Sequence, residues 1–137
     1  SWGDGVIILN NVRTELGPFP NNSPPYIGYE LLKPGRSEFR VNSLAFSEFD
    51  SLLLGTDGVM ELINNSHKNL PGKRELVGEI SQFWHKDLYF KNPDQIRRRL
   101  TLINRENTQI DWSTQQVIKQ GGWLQDDTTF IVIRKKS

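Results

Sequence analysis

Ser51-Leu52-Leu53-Leu54-Gly55-Thr56-Asp57-Gly58 is the stretch on which the reading of this chain turns. Three consecutive leucines lack the alternation of a half-buried strand, so the run is expected to be a strand covered on both faces. It ends on an acid followed by a glycine. After it, Val59, Leu62 and Ile63 recur at helical spacing until Asn64-Asn65 stops the run. A second acidic spot, Asp126-Asp127, stands before the β-rich run Thr128 to Ile133. If these two strands are antiparallel neighbours, the exit of the first and the entry of the second lie side by side. Asp57 and Asp126-Asp127 then share one space. Two carboxylates about 4 Å apart repel by roughly 4 kcal/mol at an effective dielectric near 20, so the arrangement calls for a hard divalent cation. Gly58 lets backbone approach closely there. The same residues also suit a plainer role, Asp57 as a helix cap and Asp126-Asp127 as a turn.

Outward from this stretch the pattern predicts an α+β fold with mainly antiparallel sheets. Val6 to Leu9 reads as a strand closed by Asn10-Asn11. The segment Gly17 to Tyr26, with four prolines, reads as a surface loop. Ile27 to Leu32 suggests a short strand before the turn Lys33-Pro34-Gly35, and Val41 to Phe46 another strand before Ser47 to Asp50. Leu76, Ile80 and Phe83, with Val77 and Trp84, give the stripe of an amphipathic helix. Asn92-Pro93-Asp94 opens a further helix with Ile96, Leu100 and Ile103 on its buried face, ending near Asn104 to Asn107. Asp111 to Gln120 is open between a short helix and irregular structure, and Gly121-Gly122 permits a turn.

At 137 residues the chain is long enough for one domain, or a piece of one, with a core that needs no staples. It has no cysteine, which excludes a disulfide framework, a thiolate zinc site and a cysteine nucleophile, and is compatible with a cytoplasmic location. A formal net charge of +1 asks for neither nucleic acid nor a membrane surface. The longest apolar runs fall far short of the ~20 residues of a membrane-spanning helix.

Three segments carry a family resemblance. Leu52 to Glu61 resembles the "SDG-hydrophobic-x-[DE]" segment of the metal-dependent, type-2C (PPM) protein serine/threonine phosphatases. Asp126 to Ile133 resembles that family's closing motif, and Ser1 to Val6 is similar to its Gly-Asp strand. They occur in family order across residues 2 to 133. The resemblance implies a four-layer α-β-β-α sandwich and a two-metal centre, Mn2+ or Mg2+, at which bound water attacks a phosphoserine or phosphothreonine ester of a phosphoprotein substrate. By matching position Asp57 and Asp126 are ligands of one ion. Asp127 falls where the family often has Asn, and Asp4 lies in a structural motif, so neither receives a metal role. The family's bridging Asp, its Asp-Gly segment and its phosphate-orienting Arg have no counterpart here. The resemblance therefore implies the carboxy-terminal part of a phosphatase domain. Such a fragment is expected to be inactive alone and to associate with itself or with the absent amino-terminal half.

Other features suggest less. Lys91, Arg97, Arg98, Arg99 and Arg105 read as a solvated basic flank. Phe83-Trp84 and Tyr89-Phe90 read as packing, and His67 and His85 as ordinary hydrogen-bonding groups. Leu70-Pro71-Gly72-Lys73 falls where the family carries a variable flap. Two other readings compete with the phosphatase. A pseudophosphatase or regulatory binding module would keep the fold without the reaction. An amino-terminal nucleophile hydrolase would use Ser1, but leaves the Asp57 and Asp126 motifs unexplained.

Overall fold

The computed structural model describes residues 4–17, 19–22, 28, 31, 41–92 and 94–136. Apart from Gly28 and Leu31, the expected strand at Ile27 to Leu32 lies outside the described residues, as do the turn at Lys33-Pro34-Gly35, half of the proline loop and the first three residues. The fold is α+β with antiparallel sheets. In chain order the strands are β1 (Gly5–Leu9), β2 (Val12–Leu16), β3 (Ser51–Gly55), β4 (Asn107–Asp111), β5 (Gln116–Gln120) and β6 (Phe130–Arg134). The α-helices are α1 (Val59–Asn64), α2 (Gln82–His85), α3 (Leu88–Lys91) and α4 (Asp94–Ile103). The chain divides into two compact units, the first running to Asp57 and resuming at Thr129, the second being Gly58–Thr128.

The first unit is a four-stranded sheet in the order β2-β1-β3-β6. Asn10 and Asn11 both take positive φ, 48° and 68°, as a two-residue hairpin turn requires, and this brings Val12 opposite Leu9. Asn10 does more than turn the chain. Its amide nitrogen donates to the Glu48 carbonyl at 2.6 Å, and its side-chain oxygen accepts the N–H groups of Asp50 at 2.8 Å and Ser51 at 3.1 Å. The hairpin thereby holds the entry to β3.

Register divides the sheet into two faces. Ile8, Leu53 and Val132 stand opposite one another on one face, beside Val6. Val6, Ile8 and Leu53 are buried. The other face carries the rows Thr14–Ile7–Leu54–Ile131 and Val12–Leu9–Leu52–Ile133, aliphatic apart from one threonine and without a charge. Here Val12, Leu54, Ile131 and Ile133 are exposed. Leu54 is 42% exposed, so β3 is covered on one face and not on both. Val41 to Phe46 forms no strand; residues 46–48 make a single 3-10 turn instead.

In the second unit α1 follows the sequence pattern, as does α4, whose first turn is capped by Asn92 Oδ1 accepting the Asp94 N–H at 3.0 Å. The amphipathic helix expected from Leu76 is cut down to the single turn of α2. Gly78, at φ +83°, leaves the right-handed region, and the chain before it folds back on residues 66–70. The N–H of Val77 reaches the Lys68 carbonyl and that of Gly78 the Ser66 carbonyl. Leu76 is therefore exposed while Val77 is buried. Asp111 to Gln120 resolves into the second strand of a β4–β5 hairpin, with Gln115 at φ 56° closing the loop. The aromatic residues Phe83, Trp84 and Tyr89 are buried, with the Phe83 and Tyr89 rings 4.9 Å apart, as the packing reading expects, whereas Phe90 is exposed.

Asn10→Gly retains the turn geometry but deletes three side-chain hydrogen bonds, and is expected to lower unfolding free energy by about 1–2 kcal/mol. Asn10→Ala should lose roughly 1–2 kcal/mol more, because its Cβ opposes the left-handed conformation. Urea titration of the three proteins checks both values.

Candidate metal centre

Asp57 and Asp126 are best located through the elements that carry them, each in its own unit. In the first, β3 and β6 pair antiparallel, with Gly55 opposite Phe130. The ladder runs one step further. The Thr56 N–H donates to the Thr129 carbonyl at 2.9 Å, and the Thr129 N–H donates to Thr56 Oγ1 at 3.1 Å. The exit of β3 and the entry to β6 are thus tied together, as the neighbouring-strand expectation requires. Asp57 is the next residue after this tie and is exposed.

In the second unit, α1 and residues 123–128 are fastened at three levels. Gly58 lies so close to the Asp127–Thr128 backbone that a Cβ there would stand 2.8 Å from the Asp127 carbonyl oxygen and 2.7 Å from Thr128 Oγ1. Its φ of −55° is ordinary, so the glycine answers to space and not to strain. One turn on, Glu61 Oε2 accepts the N–H of Gln125 at 2.5 Å and that of Asp126 at 3.3 Å. A further turn on, the Asn65 amide donates to the Trp123 carbonyl at 3.2 Å. Spacings of three and four place Gly58, Glu61 and Asn65 along one helix face. Asp126 itself turns locally: its Oδ1 accepts the Asp127 N–H at 2.7 Å, and its carbonyl accepts the Thr128 hydroxyl at 3.2 Å. Asp126 and Asp127 are exposed, and Glu61 is half-buried.

Exposed carboxylates are the right donors for a hard divalent ion. Among the described residues, however, no group of three or more His, Asp or Glu side chains that could hold a metal is assembled. Asp4, also exposed, acquires no such role. A hollow of about 480 Å³ beside Glu75, Gln82, His85 and Arg99, and one of about 400 Å³ beside Asn69, Lys73, Arg74 and Gln120, are lined by neither Asp57 nor Asp126.

Glu61 closes the segment Leu52 to Glu61, and the sequence by itself assigns it no part in the chemistry. Its three- and four-residue spacing from Gly58 and Asn65 is the signal that marks it. Arg99 corrects the solvated-flank reading. Its side chain is 13% exposed, donating to the Leu76 and Val77 carbonyls at 2.7 and 3.0 Å and pairing with Glu75. Arg97 and Arg98 remain exposed.

Compared with protein-family models, with curated proteins and with solved structures, the chain matches none. No helix among the described residues is long and apolar enough to cross a membrane.

Two outcomes are expected here. Gly58→Ala forces α1 and the 127–128 backbone apart and should cost about 1–3 kcal/mol, read as a lowered unfolding midpoint. The second concerns pH. The hydrogen bond from Arg99, and then its charge, hold the Glu75 carboxyl below its ordinary value of 4.5. A carboxyl lowered in the folded state stabilises it above the unfolded value, and that contribution disappears as pH falls through the lowered one. Exposure of Glu75 keeps the effect small. Glu75→Gln should therefore lose slightly less stability than wild type on acidification below about pH 4.5, measured by denaturant titration at several pH values.

Proposed function

We propose that this chain carries two metal ligands, Asp57 and Asp126, of a metal-dependent protein serine/threonine phosphatase of the type-2C kind. In this reading the full-length protein hydrolyses phosphoserine and phosphothreonine in proteins. The observation that supports the reading is the Thr56–Thr129 tie, which fastens the exit of β3 to the entry of β6. In sequence, Asp57 follows the one strand and Asp126 precedes the other, at the positions that the resemblance assigns to metal ligands.

Mn2+ or Mg2+ fits this donor set, since carboxylate oxygens without thiolate or imidazole suit small hard ions. When bound, a two-ion centre supplies a water of lowered pKa and neutralises the phosphoryl group. Asp57 and Asp126 would hold one ion and orient it. Further ligands are needed beyond these two, consistent with the family's placement of its bridging Asp outside these motifs.

The charge-free aliphatic face of the first unit supports the four-layer part of the proposal. A row of Ile7, Leu54 and Ile131 beside Leu9, Leu52 and Ile133 is suited to a second sheet about 10 Å away. A fragment presenting that face should pair with itself or with the amino-terminal half. A cytoplasmic location fits the absence of cysteine.

A second reading, a pseudophosphatase or regulatory binding module, is favoured by the absence of a three-ligand group among the described residues. One experiment separates the two. Calorimetric titration with Mn2+ is expected to give weak, saturable binding that disappears in Asp57→Ala and in Asp126→Ala, with no turnover of an aryl phosphate by the 137-residue chain. No Mn2+ binding, or binding indifferent to both substitutions, overturns the phosphatase reading. Turnover at ordinary phosphatase rates overturns the expectation that further ligands are needed.

A further inference from the structure

We infer that Glu61 is a positioning residue for the metal ligand Asp126, acting through the backbone of the segment that carries it. The inference rests on the metal reading above and adds a role to a residue that the reading leaves unused.

Residues 123–128 form neither helix nor strand, so no regular ladder holds the backbone that carries Asp126, whose side chain makes, among the described residues, only the local bond from the Asp127 N–H. A carboxylate that must hold an ion needs its backbone held first. Glu61 does this with one oxygen, Oε2, which accepts the N–H groups of both Gln125 and Asp126. Hydrogen bonds to an ionised acceptor are about twice as strong as neutral ones. Glu61 is itself fixed, lying on α1 with its own N–H donating to the Gly58 carbonyl at 3.2 Å. On either side of it the Gly58 approach and the Asn65 bond to Trp123 prevent the segment from sliding along the helix.

This geometry separates positioning from ligation. The Glu61 oxygen facing the segment is committed to two peptide donors. Its negative charge also sits beside a segment bearing Asp126 and Asp127, which raises the local demand for a cation. A neutral acceptor of the same length would keep most of the backbone hold. A truncated side chain would keep none of it.

The test uses the full chain with Mn2+ as the probe, and reads two quantities in wild type, Glu61→Gln and Glu61→Ala. The first is amide hydrogen exchange at Gln125 and Asp126 without metal, with Leu53 and Ile103 as core references. The second is Mn2+ affinity by calorimetry. Glu61→Ala is expected to accelerate exchange at Gln125 and Asp126 but not at the core amides, and to weaken Mn2+ about 10–100-fold. Glu61→Gln is expected to preserve most of the protection and to weaken Mn2+ less than about tenfold, the charge-assisted part of the bonds being lost.

Unchanged exchange at both amides in Glu61→Ala overturns the inference, and so does accelerated exchange with unchanged Mn2+ affinity. Equal loss of affinity in both variants with protection retained in Glu61→Gln shows direct ligation and overturns it as well. If Glu61→Ala does not fold, Glu61→Gln against wild type still decides, since ligation predicts a large loss of Mn2+ there. Failure of wild type to bind Mn2+ removes the metal reading itself, and the exchange data then report the hold of Glu61 without a ligand to position.

Discussion

The pairing of β3 with β6 is the constraint on which the first unit depends. β3 is an inner strand, paired with β1 on one side and with β6 on the other. Its Leu53 is fully buried, in register with Ile8 and Val132. Because the strands are antiparallel, the residue after the end of one and the residue before the start of the other are neighbours. Thr56 and Thr129 fasten that position with backbone and hydroxyl bonds. A slip of one residue would move Leu53 to the other face and separate the two threonines. The register that builds the core thus also sets where Asp57 leaves β3.

Past that tie, local chemistry takes over. α1 is a helix of only six residues, too short to persist through its own hydrogen bonding. Val59 and Leu62 anchor it by burial, while Gly58, Glu61 and Asn65 face residues 123–128. The arrangement puts a carboxylate to structural use beside carboxylates suited to chemistry. In the second unit Arg99 does the corresponding service for the irregular stretch around Leu76 and Val77, gathering carbonyls that no helix or sheet satisfies.

Much of this was written plainly in the chain. The strand at the leucine run, the helix after Gly58, the cap at Asn92 and the closing strand follow from local patterns, although the leucine run is covered on one face and not on both. Asp57 and Asp126-Asp127 stand out as candidates because each adjoins such a pattern. What was missed had weaker or conflicting signals. β2 is an edge strand whose alternation of Val12, Thr14 and Leu16 with Arg13 and Glu15 looks like an exposed segment, which it largely is. The stripe through Leu76, Ile80 and Phe83 is real, but Gly78 and the back-folding of residues 66–70 override it. β4 and β5 are mostly exposed, so little hydrophobic periodicity betrays them. Arg99 looked solvated beside Arg97 and Arg98 because its partners come from a loop over twenty positions away. Glu61 escaped for the same reason, its partners standing 64 and 65 positions further on.

The close approach of Gly58 to Thr128 has a bearing on how the molecule comes together. Thr56 and Thr129 are 73 positions apart, so joining β3 to β6 in an unstructured chain means closing a long loop, with an entropic cost that grows as the logarithm of its length. The second unit begins at Gly58 and ends at Thr128, and its own packing already brings those ends into contact. If that unit condenses first, the two strand termini are delivered to each other and the long closure shrinks to a few residues. Glycine at position 58, by leaving room for that contact, bears on the cost of closing the loop as well as on the final geometry.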